Sequence, residues 1–249
     1  MDRSKNAALE DYISLGRRKG LWRRGTGFRH YCRYQLFPSL NLRGKRILEI
    51  GAGDGRYSLW AAVQGAREVV ALEPTLAGSD ESSSVATFRS LVDSLKQRNV
   101  SICEQTFQQY AGSPGSCDLI LSHYSINHLH EQHCISLRTD PQAREYYVGL
   151  FRRMYTLLAR GGTIIIVDCS DRSAYSDIGV RHPLSPTIEW FKHHPPDVWI
   201  TLLTDAGFTS PRLTWIYDNR LLHVGRLFRN KAAAYFYTSM FRIEMRKDH

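Results

Sequence analysis

A short apolar run that ends in three alternating glycines is the feature that most constrains the fold of this chain. Residues 46–50 read Arg-Ile-Leu-Glu-Ile, and Gly51, Gly53 and Gly55 follow before a helical stretch that reaches Gln64. A strand that passes through glycines into a helix lets a ligand approach the backbone, because larger side chains would block it. The motif predicts a ligand site at the carboxyl end of a first strand.

Short β-rich runs and helical stretches alternate over residues 47–215, which predicts a parallel sheet covered by helices on both faces. The predicted strands are 46–50, 68–73, 100–103, 118–121 and 163–168, with two late antiparallel strands at 213–217 and 234–245. The predicted helices are 55–64, 82–98, 141–160 and 196–206. A polar segment at 78–81 precedes the second of these helices, and Gly161-Gly162 is expected to end the third. The polar stretch 169–185 is predicted to be a long loop, and loops of this length usually carry function.

The glycine motif differs from the dinucleotide-binding pattern, which would have a third glycine where Arg56 stands. Instead Glu49 precedes Gly51 by two residues, in the order acid-x-Gly-x-Gly-x-Gly. This pattern resembles the first motif of the class I S-adenosylmethionine-dependent methyltransferases, and the resemblance extends over roughly residues 40–215. It implies a Rossmann-like, doubly wound, mostly parallel seven-stranded α/β sheet with an antiparallel last strand. The alternative for the glycines alone is a buried structural corner between strand and helix.

The resemblance also implies which residues bind S-adenosylmethionine and its product S-adenosylhomocysteine. Glu73 closes the second strand, where the family's acid takes both ribose hydroxyls, as a carboxylate acceptor can. The family's acid for the adenine amino group has no counterpart after the third strand, so an amide or hydroxyl at Gln105 or Thr106 would take that contact, and another nucleoside ligand stays open. The remaining expected cofactor residues are Glu49, Gly51, Ala52, Gly53, Asp54, Gly55, Pro74 and Ser122.

Candidate catalytic residues follow the fourth and fifth strands, because ligands of open α/β sheets bind at the carboxyl ends of the strands. Methyl transfer is an in-line displacement, and a base that accepts the proton of a hydroxyl nucleophile contributes about 10²–10⁴ in rate. The candidate bases are His123, His128, Glu189 and His193, and the candidate substrate-binding residues are Tyr124, Asn127 and Trp190. The spacing of His128, His130, His133 and Cys134 fits no zinc pattern, so no metal is expected.

Two missing motifs narrow the acceptor. Nucleic-acid amino-methyltransferases carry Asn/Asp-Pro-Pro-aromatic after the fourth strand, where this chain has Ser-His-Tyr-Ser at 122–125, and the paired glutamates of protein-arginine methyltransferases are not evident. A hydroxyl of a small molecule or sugar is therefore the expected acceptor, as in bacterial enzymes of secondary metabolite biosynthesis. The alternatives are an RNA methyltransferase, a non-methylating S-adenosylmethionine enzyme, and a non-catalytic cofactor-binding module.

The positive charge lies in the amino-terminal segment. Of a net +9, residues 1–46 hold 12 basic against 3 acidic residues, and residues 47–249 balance at 21 of each. Such a segment suits an anionic ligand, but its interleaved aromatics favour a packed helical cap over a nucleic-acid arm. We expect a cap at 1–44 and one methyltransferase domain at 45–249.

Composition places the chain among soluble proteins. No apolar run approaches the ~18 residues of a membrane helix, no secretory signal follows the charged start, and the five cysteines are scattered. A cytoplasmic protein without a membrane span is expected, either a monomer or a homodimer through the apolar tail 232–241, which a buried final strand would explain as well.

Overall fold

The computed structural model describes residues 3–38, 40–74, 81–183 and 186–248. Residues 78–80 of the polar segment and 184–185 of the predicted loop lie outside the described residues. The chain divides into two compact units, the first made of Met1–Gly112 and Cys117–Leu121, the second of Ser113–Ser116 and Ser122–His249. The expected domain boundary after residue 44 stays a prediction.

The described strands form a seven-stranded sheet in the order β3-β2-β1-β4-β5-β7-β6. The pairs β1–β2 and β2–β3 are parallel, whereas β7 is antiparallel to both β5 and β6. The predicted fold class, a mostly parallel sheet with an antiparallel last strand, is confirmed. The strand bounds are β1 (Arg46–Ile50), β2 (Glu68–Leu72), β3 (Val100–Cys103), β4 (Cys117–His123), β5 (Leu158–Cys169), β6 (Thr209–Trp215) and β7 (Met240–Arg246).

Helices of varied length join these strands. Other helical segments occur at Cys32–Leu36 (π), and at Ile126–His128, Trp190–Lys192 and Asn219–Phe228 (3₁₀), the last of which is interrupted at Leu222. The α-helices of the described residues are α1 (Arg3–Arg18), α2 (Gly25–Tyr31), α3 (Arg56–Val63), α4 (Glu81–Leu95), α5 (Glu131–Ser136), α6 (Pro141–Leu157), α7 (Ala174–Asp177), α8 (Pro196–Asp205) and α9 (Lys231–Tyr237). Across these residues, no helix has both the length and the apolar composition to cross a bilayer.

Aromatic side chains build the core of the first unit. Trp22 stacks on Phe28 with ring centres 4.1 Å apart, and Tyr12 meets Trp22 edge-on at 5.3 Å. Phe28 also contacts Trp60 of α3 edge-on at 5.9 Å. Aromatic pairs in these geometries add stability beyond the area they bury. Trp22 and Phe28 of the basic amino-terminal segment are thus core residues of their unit.

Helices α6 and α8 pack together in the second unit. Trp199 is fully buried between Tyr147 and Phe151, with ring centres 5.7 Å and 6.3 Å away. The apolar residues 164–167 of β5 are also fully buried, which explains why this strand reads as a continuous hydrophobic run. Asp140 caps α6 by accepting a hydrogen bond from Gln142 N–H at 2.8 Å, as the Asp-Pro pair predicts.

Two predicted boundaries are wrong. Helix α6 ends at Leu157 and not at Arg160, because Lys247 Nζ donates to the carbonyl oxygens of Tyr155 and Leu158 at 2.9 Å and 2.8 Å. The two glycines expected to stop this helix belong to β5, where Gly161 N–H donates to Lys247 O at 2.7 Å. A cation on the last carbonyls of a helix satisfies groups that otherwise lack partners.

The last predicted strand also begins too early. Residues 231–237 form α9, because Asn230 Oδ1 accepts a hydrogen bond from Ala233 N–H at 2.9 Å and an alanine run follows the cap. Strand β7 starts only at Met240.

Gly55, which precedes α3, provides a test of the packing behind the glycine motif. Its φ is +72°, and a Cβ there would lie 2.1 Å from the ring of Phe88, which is fully buried. Gly44 has φ +73° with nothing within 4 Å, so it is a matched control for backbone strain alone. We expect Gly44→Ala to lower the free energy of unfolding by about 1 kcal/mol and Gly55→Ala by about 3 kcal/mol, as measured by urea unfolding. Equal losses would contradict the packing at Gly55.

Candidate functional site

The glycine motif forms a tight turn between β1 and α3 in the first unit. Gly51, Gly53 and Gly55 have φ values of +70°, +54° and +72°, which side chains with a Cβ rarely adopt. The backbone N–H groups of Gly51 and Ala52 both donate to Leu72 O at 2.9 Å. The turn is therefore fixed against the carboxyl end of β2.

Glu73, the residue after β2, binds the same turn. Its side chain is 8% exposed, and Oε2 accepts a hydrogen bond from Gly53 N–H at 2.6 Å. Glu73 N–H donates to Cys103 O at 3.0 Å, so the ends of β2 and β3 are adjacent. Open space borders the turn, since a Cβ on Gly53 would meet no atom within 4 Å. A backbone cradle beside a carboxylate suits a ligand that carries hydroxyl groups.

Glu49 lies inside β1 with 1% exposure, next to the turn. Its Oε2 accepts a hydrogen bond from Ser58 Oγ at 2.5 Å, while Oε1 is buried and has no partner within the described part of the chain. Burial raises the pKa of this carboxyl to about 8, against a smaller lowering effect from Ser58. A buried acceptor without a partner is a group that a proton or a ligand can satisfy.

The other predicted cofactor residues have varied surroundings. Asp54 forms a bidentate ion pair with Arg56, in which Arg56 Nε lies 2.8 Å from Asp54 Oδ1. Thr106, after β3, donates from Oγ1 to Gln109 Oε1 at 3.1 Å, and Gln105 N–H donates to Cys103 O at 2.9 Å. Ser122 belongs to the second unit, where its Oγ lies 2.9 Å from Ser125 Oγ. Pro74 is half-buried next to Glu73.

The second unit contains a pocket of about 390 Å³ after β4 and β5. It brings together five of the predicted catalytic and substrate-binding residues; its wall is formed by Tyr124, Asn127, His128, Thr187, Ile188, Glu189, Lys192 and His193. The pocket is not lined by the other two predicted residues, His123 and Trp190. The ring of His123 packs edge-on against Tyr124 with ring centres 4.9 Å apart, and the ring of Trp190 lies 5.9 Å from that of His182.

The backbone of Tyr124 is unusual. Its φ is +56°, and its N–H donates to Val167 O at 2.8 Å. A residue with a side chain in this conformation persists only where surrounding contacts hold it, and such residues concentrate at functional sites.

A buried Asp–His pair lies at this pocket. Asp168, the fully buried acid near the end of β5, has Oδ1 2.9 Å from His193 Nδ1 and also accepts Cys169 N–H at 2.8 Å. Because a carboxylate can only accept, Nδ1 carries the proton and the lone pair of the ring is on Nε2. His193, 8% exposed, is thus a pocket-lining imidazole whose ring is oriented by a buried carboxyl group.

His128 and Glu189 belong to a charge network on the pocket wall. Lys192 Nζ lies 3.0 Å from Glu131 Oε2 and 2.7 Å from Glu189 Oε2, and His128 Nδ1 lies 2.9 Å from Glu131 Oε1. Hydrogen bonds from His128 and Lys192 lower the pKa of Glu131, and those to Glu189 and Glu131 raise the pKa of Lys192. Lys192 therefore offsets one of the two carboxylate charges of this wall.

His194 has a structural environment. Its Nε2 donates to Cys134 O at 2.6 Å, its ring packs edge-on against Trp199 at 5.6 Å, and burial lowers its pKa. Within the described ranges, no group of three or more His, Cys, Asp and Glu side chains is arranged to hold a metal ion.

Sequence reasoning missed Asp168 and Lys192. A signal for Asp168 was present, since an acid near the end of a wholly apolar strand is the same feature that singled out Glu73. Lys192 gave no such signal, because a lysine between an aromatic and a histidine is typical of an exposed turn.

Glu49 predicts a specific pH dependence of stability. The pKa of about 8 in the folded state lies above the ordinary value of 4.5, so the native state holds this proton more tightly and its stability falls as pH rises through that window. The Glu49 carboxyl should lower the free energy of unfolding by up to about 1.4 kcal/mol per pH unit, and Glu49→Gln should remove this dependence. Urea unfolding between pH 5 and pH 8 measures the slopes, with the exposed Glu68→Gln as control. Parallel curves for wild type and Glu49→Gln would contradict the raised pKa.

Comparison with known proteins identifies the family of this chain. The family model described as a methyltransferase domain matches residues 24–211. No curated protein matches the chain. Similar solved structures include an S-adenosylmethionine-dependent methyltransferase from Listeria monocytogenes, with 13% identity, a TM-score of 0.58, and coverage of 84% of this chain and 93% of that one.

Two further structures show the same fold. Phosphoethanolamine N-methyltransferase 2 of Haemonchus contortus, in complex with phosphomonomethylethanolamine and S-adenosylhomocysteine, is 15% identical with a TM-score of 0.59, covering 89% of this chain and 53% of that one. The other structure is a chain from the complex of the Haloferax volcanii Trm112 methyltransferase activator with a methyltransferase. It is 16% identical with a TM-score of 0.56, and the match covers 100% of this chain and 99% of that one. With three quarters of its length matched by the family model, the chain belongs to the methyltransferase-domain family.

Proposed function

We propose that this methyltransferase transfers a methyl group from S-adenosylmethionine to a hydroxyl of a small-molecule or sugar acceptor. The observation that carries the acceptor chemistry is the Asp168–His193 pair at the pocket of the second unit. The proposed setting, a cytoplasmic enzyme of secondary metabolite biosynthesis, follows from the sequence.

The first unit fits the cofactor. The turn at residues 51–55 offers backbone N–H groups beside open space, and Glu73 offers carboxylate oxygens to the two ribose hydroxyls. Glu49, with its unpartnered Oε1, would receive a donor or cationic group of the ligand, and Gln105 or Thr106 would contact the adenine. When bound, the cofactor supplies an activated methyl group on a sulfonium, whose positive charge disappears on transfer.

In the second unit, His193 acts as the base toward the acceptor. Its Nδ1–H is bound by Asp168, so Nε2 accepts the hydroxyl proton, and the buried carboxylate stabilises the imidazolium that forms. Tyr124 and Asn127 line the same pocket and would position the acceptor. His128 is the weaker candidate, because its side chain is 51% exposed and its Nδ1 is taken by Glu131.

A hydroxyl acceptor agrees with the Asp168–His193 pair, because a neutral hydroxyl needs a base that takes its proton. Lys192 contacts both Glu131 and Glu189 and offsets one of these two carboxylate charges. Neighbouring structures act on various acceptors, including the phosphoethanolamine of one relative, so the proposal depends on this pocket and not on them.

Glu73 tests the cofactor assignment. Glu73→Ala should weaken binding of S-adenosylhomocysteine by about 1–3 kcal/mol, the contribution of charged hydrogen bonds. Calorimetric titration measures this, with NADH and ATP as control ligands and Glu68→Ala, an exposed acid at the other end of β2, as control variant. Unchanged affinity in Glu73→Ala would contradict the ribose contact, and no binding by the wild type would favour a non-catalytic module.

His193 tests the acceptor chemistry. His193→Gln should lower kcat about 10²–10⁴-fold while leaving the affinity for S-adenosylhomocysteine within about twofold, because its role is confined to proton transfer. The assay measures methyl transfer from labelled S-adenosylmethionine to a panel of phenols and sugars. A larger loss in His128→Gln would move the base to His128, and transfer to RNA instead of the panel would favour the RNA alternative.

A further inference from the structure

Exposed apolar side chains are concentrated near the end of the second unit. Six large hydrophobic residues between 219 and 237 are exposed, among them Leu227 at 78% and Val224 at 63%. They lie on the 3₁₀ segment Asn219–Phe228 and on helix α9; the other four are Leu221, Leu222, Phe236 and Tyr237. Exposed apolar patches of this kind mark interaction sites on otherwise soluble proteins.

The backbone that presents these side chains is anchored. Asp218 Oδ1 accepts Arg220 N–H at 2.9 Å at the start of the segment. Gly225 is buried against Tyr217, whose ring would lie 2.0 Å from an added Cβ, and the Arg229 guanidinium lies 5.5 Å over the same ring. These contacts fix the side of the segment that faces the protein. The exposed aliphatic side chains therefore lie on the opposite, solvent-facing side.

Cations are interleaved with the apolar residues. Residues 218–237 contain Arg220, Arg226, Arg229 and Lys231 but a single acid, Asp218, which Arg220 already binds. Aliphatic and aromatic side chains among arginine and lysine are typical of segments that lie in the headgroup region of a bilayer, where anionic lipids attract the cations.

We propose that residues 219–237 form a docking surface for an anionic lipid bilayer. A second copy of the chain fits less well, because a two-fold contact would bring together two segments that each contain four cations and one acid. The apolar side chains would enter the headgroup boundary while Arg226 and Lys231 contact lipid phosphates. This docking is independent of methyl transfer.

Vesicle sedimentation of the full chain tests the docking surface. We expect binding to phosphatidylcholine vesicles that contain phosphatidylglycerol, weakened by added salt, and little binding to phosphatidylcholine alone. Arg226→Gln should lower the partition coefficient about fivefold, the effect of one cation at such a surface. The double variant Val224→Ser/Leu227→Ser should lower it about tenfold or more.

Matched controls separate this surface from general effects. Leu213→Ser removes an exposed leucine from β6, and Arg23→Gln removes an exposed cation from the basic amino-terminal segment. Both should bind vesicles as the wild type does. The proposal would be overturned if these two controls lost as much vesicle binding as the Val224→Ser/Leu227→Ser and Arg226→Gln variants. It would also be overturned if the wild type did not bind anionic vesicles.

The molecular mass without lipid provides the last discriminating measurement. A wild-type dimer that the Val224→Ser/Leu227→Ser variant converts to a monomer, with no vesicle binding by either, would assign the surface to a second copy and overturn the proposal. Unchanged binding of S-adenosylhomocysteine shows that the variants are folded, so a loss of vesicle binding in folded variants supports the docking surface.

Discussion

The hydrogen bond from Gly53 N–H to the Glu73 carboxylate is the interaction on which the glycine turn of the first unit depends. The turn after β1 has three residues at positive φ, so its N–H groups face away from the regular ladder and need acceptors. Leu72 O takes two of them and Glu73 takes a third. The side chain that closes the turn is thus a carboxylate, a group whose two oxygens act only as acceptors.

The second unit uses an acid in a similar position for a different purpose. Asp168 is fully buried, and a buried carboxylate is costly unless hydrogen bonds satisfy it. Cys169 N–H and His193 Nδ1 both bind Oδ1, whereas Oδ2 is buried without a partner within the described residues, and the contact with Oδ1 sets the orientation of the imidazole. The requirement to pair a buried carboxyl group thus positions His193 at the pocket.

The parts of the fold that depend on local signals could be predicted, and those that depend on distant contacts could not. Strands β1 and β3 match their predicted bounds, because apolar runs between glycines and polar residues define them locally. The end of α6 depends on Lys247, about ninety residues later in the chain. The pairing of Asp168 with His193 likewise depends on a distant contact, because the chain after β5 must fold back to the end of that strand. The sequence therefore predicted His193 as one of four candidate bases but did not predict its partner.

Charge illustrates the same difference between sequence and structure. The balance of 21 basic and 21 acidic residues over 47–249 suggests an even surface. The charges are nevertheless unevenly distributed, since Lys192 contacts two glutamates at the pocket and residues 218–237 contain four cations and one acid. In the basic amino-terminal segment, Trp22 and Phe28 are buried and cannot stack on bases. Which charges are already paired, and which aromatics are already packed, therefore decides where an anion can bind; the net charge of a segment does not.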